Sequence, residues 1–245
     1  MINSVGLQGP GVEAWLDEDL PPLLATGARV VASIWGRSVA EYEAAAALLA
    51  DAPPKVVAVE VNLSCPNTES ARDLFAHSAS ATREAMAATA ACGRPRWAKL
   101  SPNVTDLVPI AAAAREGGAE AVTLVNTVLA MAIDPETAAY RLGSGERGGG
   151  LSGPAIHPVA VRAVHDVHAG LPDLPIVGVG GVSSGGDAAE LLLAGACAIQ
   201  VGTATFADPR APTRVLQALE AWARRTGRTR IDDIVGAAHR REITP

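Results

Sequence analysis

Short runs of β-branched and apolar residues alternate along the chain with alanine-rich stretches in which apolar positions recur at helical spacing. This alternation is typical of parallel β-strands that are each followed by a covering helix. Six strands are predicted, at Arg29–Ile34, Val56–Leu63, Trp97–Leu100, Ala121–Val125, Pro175–Val179 and Ala198–Val201. Helical patterns cover roughly Val39–Leu49, Ser80–Ala91, Asp106–Glu116, His157–Ala169, Gly185–Ala194 and Pro212–Arg225. The sequence therefore predicts an α/β fold with a parallel sheet.

Six strands do not match a closed parallel barrel, which has eight. An open sheet would need a change in strand order that the pattern does not reveal. The longest gap between elements, Ala132–Gly153, is rich in glycine and is predicted to be a functional loop. No linker or change in composition divides the chain, so residues 1–245 are predicted to form one domain.

Composition narrows the class of protein. The chain has 245 residues, 49% of them hydrophobic, which is enough for one large core. A formal net charge of -6 with dispersed acids and bases argues against a nucleic-acid partner or a membrane surface. Three cysteines cannot all pair and show no zinc-ligand spacing, so we expect a cytoplasmic protein without a metal site. Neither a signal peptide nor a membrane-spanning segment is predicted.

Polar or glycine clusters follow the predicted strands, where parallel α/β barrels build their sites. Glycines in GVGGV, residues 178–182, and in VGTA, residues 201–204, would let backbone N–H groups approach a phosphate. Tight turns between strand and helix are the alternative interpretation of these glycines. Neither stretch is a GxGxxG motif at the start of the chain. Its absence there disfavours a Rossmann dinucleotide site.

Two reactive side chains lie at strand ends. Lys99 interrupts an apolar strand, so its ammonium needs a negative partner such as a reduced flavin, unless it extends to solvent. Cys65 lies in NLSCPN, between Asn62 and Asn67, where a thiol is placed to act as a base or nucleophile. The alternative is a small buried thiol, which is the interpretation we give to Cys92 and Cys197.

Uncharged polar side chains at the same strand ends suit a planar, amide-bearing ligand. They are Asn62, Asn67, Asn126 and Thr127, and Asn3 joins them if the N-terminal segment folds over the site. The histidines give no catalytic pattern, and we expect His157, His165 and His168 to be surface or helix residues, with His77 and His239 equally uninformative.

Six motifs together resemble the class 1 dihydroorotate dehydrogenases across nearly the whole chain. They are NLSCPN, KLSPNVTD, LVNTVLAMAID, GGLSGPAIHP, GVGGVSS and VGTATFADP, in that order, and the opening INSVGLQGPGVE resembles the family's substrate loop. The chain is most similar to the catalytic subunit of the NAD-linked type 1B form, and cysteine at position 65 differs from the serine of the membrane-bound class.

The resemblance implies an FMN enzyme on a (βα)8 TIM barrel that oxidises (S)-dihydroorotate to orotate in pyrimidine biosynthesis. Cys65 would take the proton from C5 while a hydride passes from C6 to the flavin. Orotate would be held by Asn3, Val5, Gly6, Leu7, Asn62, Asn67, Asn126 and Thr127. FMN would be contacted by Ser33, Asn62, Lys99, Val125, Gly153, Gly180, Gly181, Gly202 and Thr203. An iron–sulfur flavoprotein would accept the electrons, and we expect a homo-oligomer.

The chain departs from the family in one large respect. Family members begin about 65 residues earlier, with the first two of the eight barrel strands, which accounts for the six strands counted here. We therefore expect an incomplete barrel, from a fragment or a misassigned start. Trp35 also stands where the family has a small residue. Three alternatives stay open: a dihydropyrimidine dehydrogenase-like flavin enzyme, a non-catalytic remnant, and a phosphate-binding aldolase or isomerase barrel.

Overall fold

The computed structural model describes residues 1–64 and 75–240. Its strands are β1 (Ile2–Asn3), β2 (Val30–Ile34), β3 (Val56–Asn62), β4 (Arg96–Lys99), β5 (Ala121–Leu124), β6 (Val128–Ala130), β7 (Gly149–Leu151), β8 (Ile176–Val179) and β9 (Ala198–Gln200). Its α-helices are α1 (Val12–Ala14), α2 (Leu20–Ala25), α3 (Val39–Leu48), α4 (Ala79–Ala88), α5 (Val108–Glu116), α6 (His157–Gly170), α7 (Gly185–Ala194), α8 (Ala204–Ala207) and α9 (Ala211–Arg225).

The chain folds into two compact units. The N-terminal unit contains Gly6–Leu100 and Pro109–Thr123, and the C-terminal unit contains Met1–Val5, Ser101–Val108 and the chain from Leu124 onward. This division neither supports nor opposes the single domain predicted from the sequence, which stays a prediction.

Four parallel strands form the centre of the N-terminal unit, in the order β2, β3, β4, β5. The run VVAVEVN of β3 is almost entirely buried, as expected for a central strand with both faces covered. Parallel register pairs Ser33 with Glu60, Asn62 with Lys99, and Lys99 with Thr123. Since residues paired in register point to the same side, these five side chains share one face, which we name the polar face.

The C-terminal unit contains two small groups of strands. β8 and β9 pair in parallel, with Val177 opposite Ala198. Within this unit the Val125 N–H donates to the Val179 carbonyl oxygen at 2.7 Å. A separate antiparallel sheet has the order β1, β7, β6.

Side-chain caps set the starts of the longer helices. Ser184 Oγ accepts a hydrogen bond from the Asp187 N–H, and Asp187 Oδ2 accepts one from the Ser184 N–H, so α7 begins with a complete capping box. Ser38 and Ser78 cap α3 and α4 in the same position. The predicted helix Ser80–Ala91 ends earlier than expected, because its last turn tightens into a 3₁₀ turn at Thr89–Cys92 before Gly93, whose φ is 62°.

The sequence-based strands agree with the structure to within one residue at each end. Two expectations were wrong. The stretch Ala132–Gly153 is not loop throughout, because it contains β7, which pairs with β1 and β6. Cys197 is exposed and not a buried thiol, since it precedes a strand whose first residue is also exposed, whereas Cys92 is buried as expected.

Candidate functional site

The polar face of the N-terminal unit places Asn62 beside Lys99 at the carboxyl ends of β3 and β4. Asn62 is only 8% exposed, and its carbonyl oxygen accepts a hydrogen bond from the buried Tyr42 hydroxyl at 2.7 Å. Its Oδ1 accepts from the Ser64 N–H at 3.2 Å, which bends the chain just before Cys65. The half-buried Lys99 therefore lies next to a fixed amide.

A buried acid lies on the same face. Glu60 is 7% exposed, and its Oε1 accepts a hydrogen bond from the Thr123 hydroxyl at 2.8 Å. Burial of a carboxylate is costly without such partners. The polar face thus carries the carboxylate of Glu60 and the ammonium of Lys99 among uncharged polar side chains. Such an arrangement can bind a polar ring.

A cavity of about 750 Å³ runs along the edge of β2 in the N-terminal unit. All five residues of β2 line it, although successive side chains of a strand point to opposite faces. The cavity must therefore face the backbone edge of the strand. Ser33, a predicted FMN contact, is exposed in its wall beside Trp35.

The predicted phosphate-binding glycines lie together in the C-terminal unit. A Cβ placed on Gly181 would lie 2.7 Å from the Gly153 oxygen, and one placed on Gly180 would lie 2.6 Å from Cβ of Ala160. A Cβ on Gly153 would lie 3.5 Å from the Thr203 methyl group. We name Gly153, Gly180, Gly181, Gly202 and Thr203 the glycine cradle. At Gly180 and Gly181 glycine is required because α6 and the Gly153 oxygen occupy the space that a side chain would need.

Val125 borders the glycine cradle. A Cβ placed on Gly180 would lie 3.7 Å from its Cγ2, and a Cβ on Gly202 would contact no described atom within 4 Å. Gly180 and Gly181 have φ values of 142° and 68°, which L-residues with side chains adopt rarely. Val125 and the five residues of the glycine cradle, six of the predicted FMN contacts, are thus near neighbours within one unit.

His157 packs against the glycine cradle and was not expected from the sequence to be a site residue. It is 8% exposed, not a surface residue, because α6 begins with it directly against Gly181. Its Nδ1 lies 2.8 Å from the Gly180 carbonyl oxygen and its Nε2 lies 3.1 Å from Oε2 of Glu190. The only sequence signal was its place immediately after GGLSGPAI.

The loop after β5 carries Asn126 and Thr127 and is held by Asn103. Asn126 Oδ1 accepts from the Thr127 N–H at 2.8 Å. Asn103 Nδ2 donates to the Thr127 carbonyl oxygen at 3.0 Å, and Asn103 Oδ1 accepts from the Leu129 N–H at 2.8 Å. The motif KLSPNVTD contains Asn103, but the sequence alone assigned this residue no role.

The N-terminal strand lies in the same small sheet as that loop. Asn3 pairs in register with Gly150, and a Cβ placed on Gly150 would lie 2.3 Å from the Thr127 hydroxyl. Among the other predicted substrate contacts, Val5, Gly6 and Leu7 are exposed. Cys65 and Asn67 lie outside the described residues.

Parallel strands followed by helices, with glycines at the carboxyl ends of β8 and β9, are typical of the α/β barrel enzymes. A family model described as dihydroorotate dehydrogenase matches residues 1–222. The chain belongs to the dihydroorotate dehydrogenase family, whose members are oxidoreductases.

Relatives agree with this assignment. The chain is 45% identical over 244 residues to a protein of Desulforudis audaxviator named dihydroorotate dehydrogenase B (NAD(+)), catalytic subunit, and covers 77% of that protein. The relative of the same name in Pelobacter propionicus is 41% identical over 238 residues, 97% of this chain and 77% of the relative. A relative in Solibacter usitatus, named for the fumarate-linked A form, is 44% identical over 237 residues. The predicted likeness to class 1, type 1B, is confirmed.

A solved structure gives the fold. The dihydroorotate dehydrogenase of Eimeria tenella in complex with ferulenol has a TM-score of 0.67 to this chain at 23% identity, and the match covers 83% of this chain and 58% of that one. The predicted fold class, a (βα)8 barrel with six of its eight strands, is confirmed. No helix in the described ranges is long and apolar enough to cross a membrane.

Proposed function

We propose that this chain oxidises (S)-dihydroorotate to orotate with bound FMN, as the catalytic subunit of a dihydroorotate dehydrogenase. One observation carries the proposal. The stretch that matches the family model, residues 1–222, includes every residue to which we give a role.

The glycine cradle fits the phosphate of FMN. A Cβ placed on Gly202 meets no described atom within 4 Å, so a ligand can approach the backbone there, and backbone N–H groups are good phosphate donors. Gly153, Gly180, Gly181, Gly202 and Thr203 would hold the phosphate end, with Val125 beside the ring system. Ser33, Asn62 and Lys99 would also contact the flavin.

FMN, when bound, supplies the acceptor for the hydride that leaves C6 of dihydroorotate. Lys99 would place its ammonium where negative charge collects on the reduced flavin. When the flavin is oxidised, Glu60 on the same face would balance the positive charge of the Lys99 ammonium.

Substrate binding would rest on amide side chains. Asn62, Asn67, Asn126, Thr127 and Asn3 would hydrogen-bond the carbonyl, N–H and carboxylate groups of orotate, and Val5, Gly6 and Leu7 would cover it. Cys65, as a thiolate, would remove the C5 proton. It directly follows Ser64, whose N–H donates to Oδ1 of Asn62.

The electrons must then leave the flavin. Relatives named as catalytic subunits of the NAD(+) form support a second subunit as the acceptor, and we propose that it is an iron–sulfur flavoprotein. The homo-oligomer and the cytoplasmic location stay predictions.

Steady-state turnover tests the proposal against its nearest alternative. The FMN-loaded chain is assayed with an artificial electron acceptor and either dihydroorotate or dihydrouracil. We expect orotate to form and dihydrouracil to react far more slowly. Equal or preferred oxidation of dihydrouracil would replace the proposal with the dihydropyrimidine dehydrogenase-like function, and a chain that binds no FMN would support a non-catalytic remnant.

A further inference from the structure

His157 lies directly behind the glycines proposed to bind the phosphate of FMN. Its ring is buried, and it starts α6 against Gly181, so close that a Cβ on that glycine would lie 2.8 Å from Cβ of His157. Nothing in the proposed reaction uses this histidine. A buried ionisable ring with two hydrogen bonds at such a position calls for a role.

Both ring nitrogens of His157 face acceptors. The Gly180 carbonyl oxygen, 2.8 Å from Nδ1, can only accept a hydrogen bond, and the Glu190 carboxylate, 3.1 Å from Nε2, accepts when it is ionised. Because a carbonyl oxygen has no proton to give, Nδ1 is the donor in the hydrogen bond to Gly180. The side chain of Glu190, by contrast, is 58% exposed.

The hydrogen bond to Gly180 fixes the direction of a whole peptide group. The bond between Gly180 and Gly181 is trans, since the cis bond found in the described residues is Leu124-Val125. In a planar trans peptide the C=O and the following N–H point in opposite directions. When the Gly180 oxygen is held against His157, the Gly181 N–H therefore points away from the helix.

We propose that His157 is a positioning residue for the phosphate of FMN. It holds the Gly180 carbonyl oxygen away from the anion and turns the Gly181 N–H toward it. The inference rests on the proposed function, because it takes FMN to be the ligand of the glycine cradle.

Two amide substitutions separate the two ring nitrogens. In His157→Asn the amide nitrogen is bonded to Cγ, as Nδ1 is, and can still donate to Gly180. In His157→Gln the amide nitrogen is placed like Nε2 and can reach only Glu190. His165→Gln is the matched control, since His165 lies on the same helix with its side chain 46% exposed.

The test compares the affinities of the purified chain for FMN and for riboflavin, which lacks the phosphate, by quenching of flavin fluorescence. We expect His157→Gln to weaken FMN binding about tenfold while riboflavin binding changes less than about twofold, as for loss of one hydrogen bond to the backbone. His157→Asn should keep most of the preference for FMN, and His165→Gln should keep all of it.

The outcomes distinguish two failures. If the unaltered chain prefers FMN and His157→Gln keeps that preference, the role of His157 is refuted and the proposed function stands. Equal loss of both flavins in His157→Gln would show a general structural role and also refute the proposal. If the unaltered chain binds FMN no better than riboflavin, or neither, the proposed cofactor site itself is wrong.

Discussion

Asn103, which follows β4, joins its own loop to the loop after β5 and to β6 through a single side chain. Its amide nitrogen donates to Ser101 Oγ at 2.8 Å and to the Thr127 carbonyl oxygen, and its oxygen accepts from the Leu129 N–H. Ser101 is fully buried, so the loop that carries Asn126 and Thr127 is anchored to the interior of the C-terminal unit.

Loss of this anchor should weaken substrate binding. We expect Asn103→Ala to raise the KM for dihydroorotate about tenfold with a smaller change in kcat, because two loop groups lose their partners and the loop must be ordered by the substrate. Steady-state kinetics measure this effect. Thr105→Ala, an exposed residue of the same turn, is the control, and an unchanged KM in Asn103→Ala would contradict the anchoring role.

The proposed base gives a second prediction for single residues. Cys65→Ala should lower the rate of flavin reduction by dihydroorotate on the order of 10³-fold, as expected for loss of a general base. In the unaltered chain that rate should rise with pH as the thiolate forms. Rapid-mixing absorbance measures it, with the exposed Cys197→Ala as control. Full-rate reduction by Cys65→Ala would exclude the thiol as base.

At the scale of elements, the capping box sets the start of α7. Burial alone would raise the pKa of Asp187, but hydrogen bonds from Ser183 and Ser184 outweigh it and lower this pKa. Asp187→Ala should therefore reduce the free energy of unfolding by about 1 kcal/mol. Urea titration near neutral pH measures the loss. Glu190→Ala on the same helix would be a poor control because it contacts His157, so Val159→Ala, which is exposed on α6, serves instead.

A histidine cluster joins α6 to the C-terminal turns. The His239 ring lies 4.1 Å from that of His165 and 4.9 Å from that of His168, measured between centroids. Burial lowers the pKa of His168 below its ordinary value of 6.5, and the charges of His239, Arg240 and His165 lower it further. The folded chain therefore binds this proton less readily than the unfolded chain.

The sign of the pH effect follows from that difference. Below about pH 6.5 the unfolded state takes up more protons than the folded state, so stability falls as the pH falls. We expect the urea midpoint to drop between about pH 7.5 and about pH 5.5, and to drop less in His168→Gln. The same drop in both proteins would show that His168 does not contribute.

Sequence patterns located the longer elements and missed the short ones for physical reasons. Parallel strands such as β3 are buried on both faces, so their apolar runs stand out. The helical stretch from Val12 to Ala25 escaped notice because Pro21 and Pro22 argue against a helix, although the first turn of α2 tolerates them. Strands of two or three residues, such as β1 and β7, are too short to show a period.

The positions of the glycines and polar residues after strands could be predicted, because position along the strand decides where they lie, whereas their roles in binding stay predictions. The burial of His157 could not be predicted, since it depends on which residues of other elements pack against the start of α6.

At the scale of the whole molecule, β2 presents an unpaired sheet edge among the described residues. Within the described residues β2 pairs only with β3, and the cavity of about 750 Å³ runs along its other edge. Unprotected edges of this kind favour pairing with other chains. We expect the purified chain to self-associate as its concentration rises.

A lysine on that edge should oppose association. Val31→Lys places a charge in the cavity wall, where edge strands commonly carry one, and should shift the protein toward monomer in sedimentation velocity. Val159→Lys, on the exposed side of α6, is the matched control and should leave association unchanged. Equal association of all three proteins would place the contact elsewhere.

The most direct test of the function is anaerobic titration of the FMN-loaded chain with dihydroorotate. One equivalent of substrate should bleach the visible band of the bound flavin and yield one equivalent of orotate, because the only oxidant present is the flavin. A flavin that stays oxidised at saturating dihydroorotate, in protein that holds FMN, would contradict the assignment of this chain as a dihydroorotate-oxidising enzyme.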